Sequence, residues 1–190
     1  MGLISKLFGK QKVNSARIVV LGSSGAGKTT FIKFLESGKV VEDDSLTTLG
    51  IDVRKKSISF DNWSISAIDV GGQELYQKVF WNLGLSQADA VCYLIDGTIK
   101  PSHYDDKYES SLFAFEYMLE LLPPIKPMII LINKQDLKEL KPLSITDAME
   151  LYPFRNLLNR SVNILPVSAK YGDGIENALT WLVRKMDELQ

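Results

Sequence analysis

Short β-branched apolar runs alternate along this chain with longer stretches of helical period, a pattern that commits it to an α/β fold with a largely parallel sheet. "RIVVLG", ending at Gly22, reads as a buried strand, and "GKTTFIKFLESG" as the helix after it, stopping near Gly38. "GIDVRKKSISFD" and "WSISAIDV" are two strands joined by a short turn at Asp61 and Asn62, hence an antiparallel pair. "DAVCYLIDG" and "KPMIILINKQD" are the next strands, separated by a helix from about Tyr108 to Leu122 that Pro123 and Pro124 end. "VNILPVSAK" supplies a last strand. Ile175, Ala178, Leu179, Leu182, Val183, Met186 and Leu189 then recur as one buried helical face. The expected architecture is a mostly parallel six-stranded sheet with one antiparallel strand and helices on both faces.

A length of 190 residues with 45% hydrophobic residues suits one domain with a sizeable core, here residues 17–190. Residues 1–16 read as a separate amino-terminal segment and linker. Lys6, Lys10, Lys12 and Arg17 fall before Ile18 with no acidic residue among them, although the whole chain has a net charge of -1. That near balance gives no indication of nucleic acid as a partner. The single cysteine, Cys92, lies in the apolar run "AVCYLID" and reads as a core residue in a reducing compartment. No apolar stretch has bilayer-spanning length and no secretory h-region is evident, so the expected location is cytoplasmic.

Ligands of such sheets bind beyond the carboxyl ends of the strands, and the loops there carry the chemistry. Gly22-Ser23-Ser24-Gly25-Ala26-Gly27-Lys28-Thr29 has the spacing of a phosphate-binding loop. Its glycines let backbone N–H groups turn around phosphate oxygens, and the helix opening at Lys28, Thr29 and Thr30 offers its positive end. Lys28 would bridge the β- and γ-phosphates, and the Thr29 hydroxyl would bind Mg²⁺ directly.

"DVGGQE" follows a strand: Asp69 would hold the metal through a water, the Gly72 N–H would sense the γ-phosphate, and Gln73 would orient the attacking water. In Asn133-Lys134-Gln135-Asp136 the Asp136 carboxylate can accept from both the ring N–H and the amino group of guanine, a donor pair that adenine lacks. Asn133 and Lys134 would brace neighbouring loops and cover the ring, and Ser168-Ala169-Lys170 would offer a backbone N–H to the guanine oxygen. Between the first two loops, either Thr47 or Thr48 could complete the metal site when the γ-phosphate is present.

With these motifs in order, the chain resembles a Ras-superfamily GTPase of the Arf and Arf-like family over nearly its whole length, which implies a phosphate-loop G domain. "DVGGQE", "TTLG", "NKQD" and "GDGI" followed by "ALTWL" carry the resemblance, and the match selects Thr48 as the metal-binding switch threonine. Three departures stand out. "SAK" has the Ras form, Ile51 and Ile68 occupy positions where Arf proteins carry aromatics, and Ser24 stands where they commonly have Asp.

The resemblance implies slow hydrolysis of GTP to GDP with Mg²⁺ as cofactor, with Lys28, Gly72 and Gln73 as the catalytic set. It also implies an exchange factor, an activating protein and effectors as partners. The hairpin from about Ile51 to Ile68 would slide between the GDP and GTP states and release an amino-terminal helix to a membrane. Leu3, Ile4, Leu7 and Phe8 cluster on one face of such a helix, and Gly2 to Lys10 would make a peripheral, GTP-dependent membrane contact. The alternative is a nucleotide-gated binding module with little hydrolysis of its own.

Overall fold

The computed structural model describes residues 13–41, the backbone of 51–53, and residues 58–70, 80–123 and 125–189. Its strands are β1 (Asn14–Leu21), β2 (Ile51–Val53), β3 (Ile58–Phe60), β4 (Trp63–Val70), β5 (Ala90–Asp96), β6 (Met128–Asn133) and β7 (Val162–Pro166). The helices are α1 (Lys28–Ser37), α2 (Asn82–Gln87), α3 (Lys107–Leu121), α4 (Ile145–Leu151) and α5 (Ile175–Asp187), with 3₁₀ turns at Lys138–Leu140 and Phe154–Leu157.

The sheet runs β2, β4, β1, β5, β6, β7, with β3 sharing β2's place on the free side of β4. All pairings between β4 and β7 across the sheet are parallel, and β2 and β3 are antiparallel to β4. Seven segments thus occupy six strand positions, the expected mixed sheet. The antiparallel partner is one edge line in two pieces rather than one continuous strand. β2 pairs Ile51 with Val70, whereas β3 pairs Phe60 with Trp63, and the two registers on β4 differ by two residues.

Buried strands explain the near-continuous apolar runs: β5 and β6 are buried at every position because helices cover both faces. Alternate residues divide between two cores. Ile18, Val20, Cys92, Leu94, Ile129 and Leu131 meet Phe31 of α1 and the α5 stripe. Val19, Leu21, Val91, Tyr93, Ile130 and Ile132 meet α2, α3 and α4 through Leu85, Phe115, Met118 and Ala148. Burial raises the Cys92 thiol far above its ordinary pKa, as befits a core residue.

Two expectations shift. The Tyr108–Leu122 helix starts one residue earlier, at Lys107, and stops one earlier because Leu122, preceding Pro123, adopts ψ 115. The α5 stripe ends at Met186, and Leu189 lies beyond the last turn with 56% of its surface exposed. Among the described residues no helix is long and apolar enough to cross a membrane.

Candidate nucleotide site

Three loops and the end of β4 meet at the carboxyl ends of β1, β4, β6 and β7. The first turns on glycines for steric reasons. At Gly22 (φ 143) a Cβ would lie 2.3 Å from the Leu94 carbonyl oxygen, and at Gly27 (φ 94) 2.3 Å from Asn133 Nδ2. Backbone can approach this closely only where no side chain intervenes. The turn folds over Lys28, whose Nζ donates to the carbonyls of Gly22 (3.0 Å) and Ser23 (2.8 Å). Lys28 is 6% exposed. Burial pushes its pKa down to about 8, while the nearby Asp69 charge acts in the opposite sense. Such an ammonium, held by neutral carbonyls beside a helix N-terminus, is poised for an anion.

Asp69 reaches the same place because parallel pairing sets it beside Val20 at the end of β1. Its Oδ2 accepts from Thr29 Oγ1 at 2.8 Å, with Asp69 fully buried. A hydroxyl and a carboxylate in contact make a hard-oxygen pair. Among the described residues no group of three or more His, Cys, Asp or Glu could cage a metal. Mg²⁺, which prefers one or two protein oxygens plus phosphates and water, fits what Thr29 and Asp69 offer. Ser24 and Gly25 are exposed, and Thr30 is half-buried on the first turn of α1. Ser23, Ser24 and Gly25 border a cavity of about 1110 Å³ that extends to Lys134 and Asp96.

The other two loops are locked to the first by Asn133, which is 2% exposed. Its Nδ2 donates to the Ala26 carbonyl and its Oδ1 accepts from the Ala169 N–H, both at 2.8 Å. One side chain thus ties "NKQD" to the phosphate loop and to "SAK". Asp136 Oδ1 accepts from Ser168 Oγ at 2.7 Å, and Ser168 is itself fully buried. Lys134 takes a left-handed backbone (φ 67), and its Nζ meets Asp96 Oδ2 at 2.6 Å. The Lys170 carbonyl accepts from the Val41 N–H at 3.0 Å, fastening the chain that leaves α1.

Three anchoring residues escaped the sequence reading. Asp96 accepts from Lys134, from the Thr98 N–H (2.9 Å) and from Thr98 Oγ1 (2.7 Å). Gln135 anchors the same loop, its Nε2 donating to the Ile132 and Leu143 carbonyls. A carboxylate at the end of a buried run was the available signal for Asp96. For Thr98 and Gln135 there was none. Gly72, Gln73, Thr47 and Thr48 lie outside the described residues, as does Gly2 to Lys10.

Comparison with known proteins agrees with this geometry. The sequence model of the ADP-ribosylation factor (Arf) family matches residues 1–186. ADP-ribosylation factor-like protein 3 of Chlamydomonas reinhardtii is 31% identical, with 98% of this chain and 99% of that protein covered. ADP-ribosylation factor-like protein 1 of Drosophila melanogaster is 30% identical over 95% of this chain and 94% of its own length. The Arl6 BBS3 small GTPase of Trypanosoma brucei, solved with the nucleotide analogue GppNp, has the same fold. It gives a TM-score of 0.70 at 18% identity, covering 93% of this chain and all of that one. A family match spanning nearly the whole sequence, on a fold that brings the three described loops to the end of β4, makes this chain a member of the ADP-ribosylation factor family of small GTPases.

Proposed function

We infer that this chain binds guanine nucleotide with Mg²⁺, hydrolyses GTP slowly to GDP, and changes partners with the nucleotide state. The observation that carries the reading is the junction at Asn133, which ties the loop that bears Asp136 to the phosphate loop and to the "SAK" loop. Guanine specificity rests on Asp136, held by Ser168. Thr29, Asp69 and Thr48 would hold Mg²⁺, Asp69 through a water, and the ion when bound would offset charge on the phosphates.

Lys28 places its ammonium against the phosphoryl oxygens, the Gly72 N–H meets the γ-phosphate and Gln73 orients water. Turnover on the order of 10⁻⁴ to 10⁻³ per second is expected by analogy with unassisted Ras, so an activating protein and an exchange factor are part of the proposal. Under single-turnover conditions Gln73→Leu should slow phosphate release at least about tenfold, with GTP still bound. Equal rates in parent and variant would leave the low-hydrolysis binding module as the better description.

The edge line on β4 supports a switch. Its two pieces already pair in registers two residues apart, and a slip of two keeps every side chain on its own face of the sheet. A sliding hairpin would therefore exchange pairings without turning its buried face outward. Coupled to it, the basic apolar segment Gly2 to Lys10 would reach a membrane in the GTP state, giving the protein a cytoplasmic and peripheral-membrane distribution. Co-sedimentation with anionic vesicles should be stronger with a non-hydrolysable GTP analogue than with GDP, and should be lost in a chain beginning at Val13. Equal sedimentation of the shortened chain would remove the membrane proposal.

A further inference from the structure

Behind the phosphate loop, three buried hydroxyls from distant parts of the chain form a line. Ser23 Oγ donates to Ser111 Oγ of α3 at 3.4 Å, and Ser111 Oγ shares a 2.9 Å hydrogen bond with the Tyr152 hydroxyl, just past α4. Ser23, Ser111 and Tyr152 are 6%, 1% and 3% exposed, so water does not readily replace these bonds. The Tyr152 ring is held by edge contacts to Tyr108 and Phe115 and by stacking on Phe154, with centroids 5.5 to 6.0 Å away. Its backbone N–H is fixed to the Ala148 carbonyl at 2.9 Å. Packing therefore decides where this hydroxyl points, although phenylalanine would fill the same ring volume.

At the other end, Ser23 supplies the 2.8 Å carbonyl that holds Lys28 Nζ and also accepts from the Ala26 N–H at 3.3 Å. We propose that the Tyr152–Ser111–Ser23 hydroxyl line is a positioning device for the phosphate loop, through which the α3 and α4 side of the domain sets the lifetime of bound guanine nucleotide. The proposal rests on the nucleotide reading above and adds two residues to it, Ser111 and Tyr152, neither belonging to a nucleotide motif.

The physical basis is preorganisation. Releasing a nucleotide requires the loop N–H groups to part from the phosphates, and a loop anchored from behind resists that opening. Each neutral hydrogen bond contributes a net of roughly 0.5–1.5 kcal/mol, equivalent to about two- to twelvefold in a rate. Ser111 bonds both neighbours, so its loss should exceed that of Tyr152.

The test is release of a fluorescent GDP from the full chain, chased by excess GDP in the presence of Mg²⁺. Ser111→Ala should release roughly three- to tenfold faster, and Ser23→Ala and Tyr152→Phe each about two- to fivefold faster. The double variant Ser111→Ala/Tyr152→Phe should release no faster than Ser111→Ala, because both break one line. Leu122→Ala, which truncates the same core at the far end of α3 from Ser111 and removes no hydroxyl, should lower the melting temperature with release near the parental rate. Parental release rates in Ser111→Ala and Tyr152→Phe would overturn the proposal, as would acceleration by Leu122→Ala equal to theirs. A parent that takes up no labelled GDP would bring down the nucleotide reading, and this proposal with it.

Discussion

Replacing Asp136 by asparagine is expected to lower GDP affinity by about 10²- to 10⁴-fold and to raise affinity for xanthosine diphosphate. Guanine donates twice toward this position, from its ring N–H and its amino group, and a carboxylate accepts both. Two hydrogen bonds to a charged acceptor, each contributing roughly 1.5–3 kcal/mol, set the size of the loss. An amide can accept only one of them and turns its own NH₂ toward the guanine amino group. Xanthine carries an oxygen there and matches the amide donor. The side chain stays oriented in either form, because buried Ser168 holds Oδ1 at 2.7 Å. Competition of labelled GDP by GDP, ATP and xanthosine diphosphate measures the effect. An Asp136→Asn chain that kept GDP within about threefold of the parent would show that another group reads the base.

The residues of this site differ in how far the sequence disclosed them, and the reason is geometric. Gly22 to Thr29 form one contiguous loop, so their spacing carries the structure directly. Asp136 and Ser168 were visible as separate motifs, but their 2.7 Å contact depends on β6 and β7 lying side by side, a matter of topology. The Ser23, Ser111 and Tyr152 line was invisible for the same reason in stronger form. Its links span 88 and 41 residues, and no periodicity marks a serine on the buried side of a helix as a partner for a loop.

The fold was legible where patterns were local. Strand runs, the turn at Asp61 and the α5 stripe all follow from neighbours in sequence. Helix α4 could have been found as well: Ser144 and Asp147 form a reciprocal capping box, an S-x-x-D signature that the sequence displays openly. The split of the edge line into β2 and β3 could not, since register on β4 is a choice between pairings that bury the same face.

Lys28→Met is expected to abolish nucleotide binding at practical concentrations, a loss of at least about 10³-fold, because its ammonium supplies charge-assisted hydrogen bonds to phosphate. Its effect on the free fold has the opposite character. Burial lowers the Lys28 pKa from 10.5 to about 8, so at neutral pH the charged side chain opposes folding. Between those two values the unfolded chain binds more protons than the folded one at this residue, and stability must rise with pH across that window.

The amplitude is on the order of 3 kcal/mol, and it is absent below about pH 8, where both states are protonated. Methionine cannot titrate, and the other ionisable groups are common to both chains. The difference in unfolding free energy between parent and variant, measured without nucleotide in EDTA, should therefore shift toward the parent as pH rises from 7 to 10.5. Losing the donor to the Gly22 and Ser23 carbonyls adds only a constant offset. A flat difference across that range would mean the ammonium is not desolvated in the free protein. With GDP at a thousandfold excess over the parental Kd the parent should gain about 4 kcal/mol and the variant at most about 0.4 kcal/mol. The desolvation that the buried Lys28 ammonium costs the nucleotide-free chain is then offset by its bonds to an entering anion.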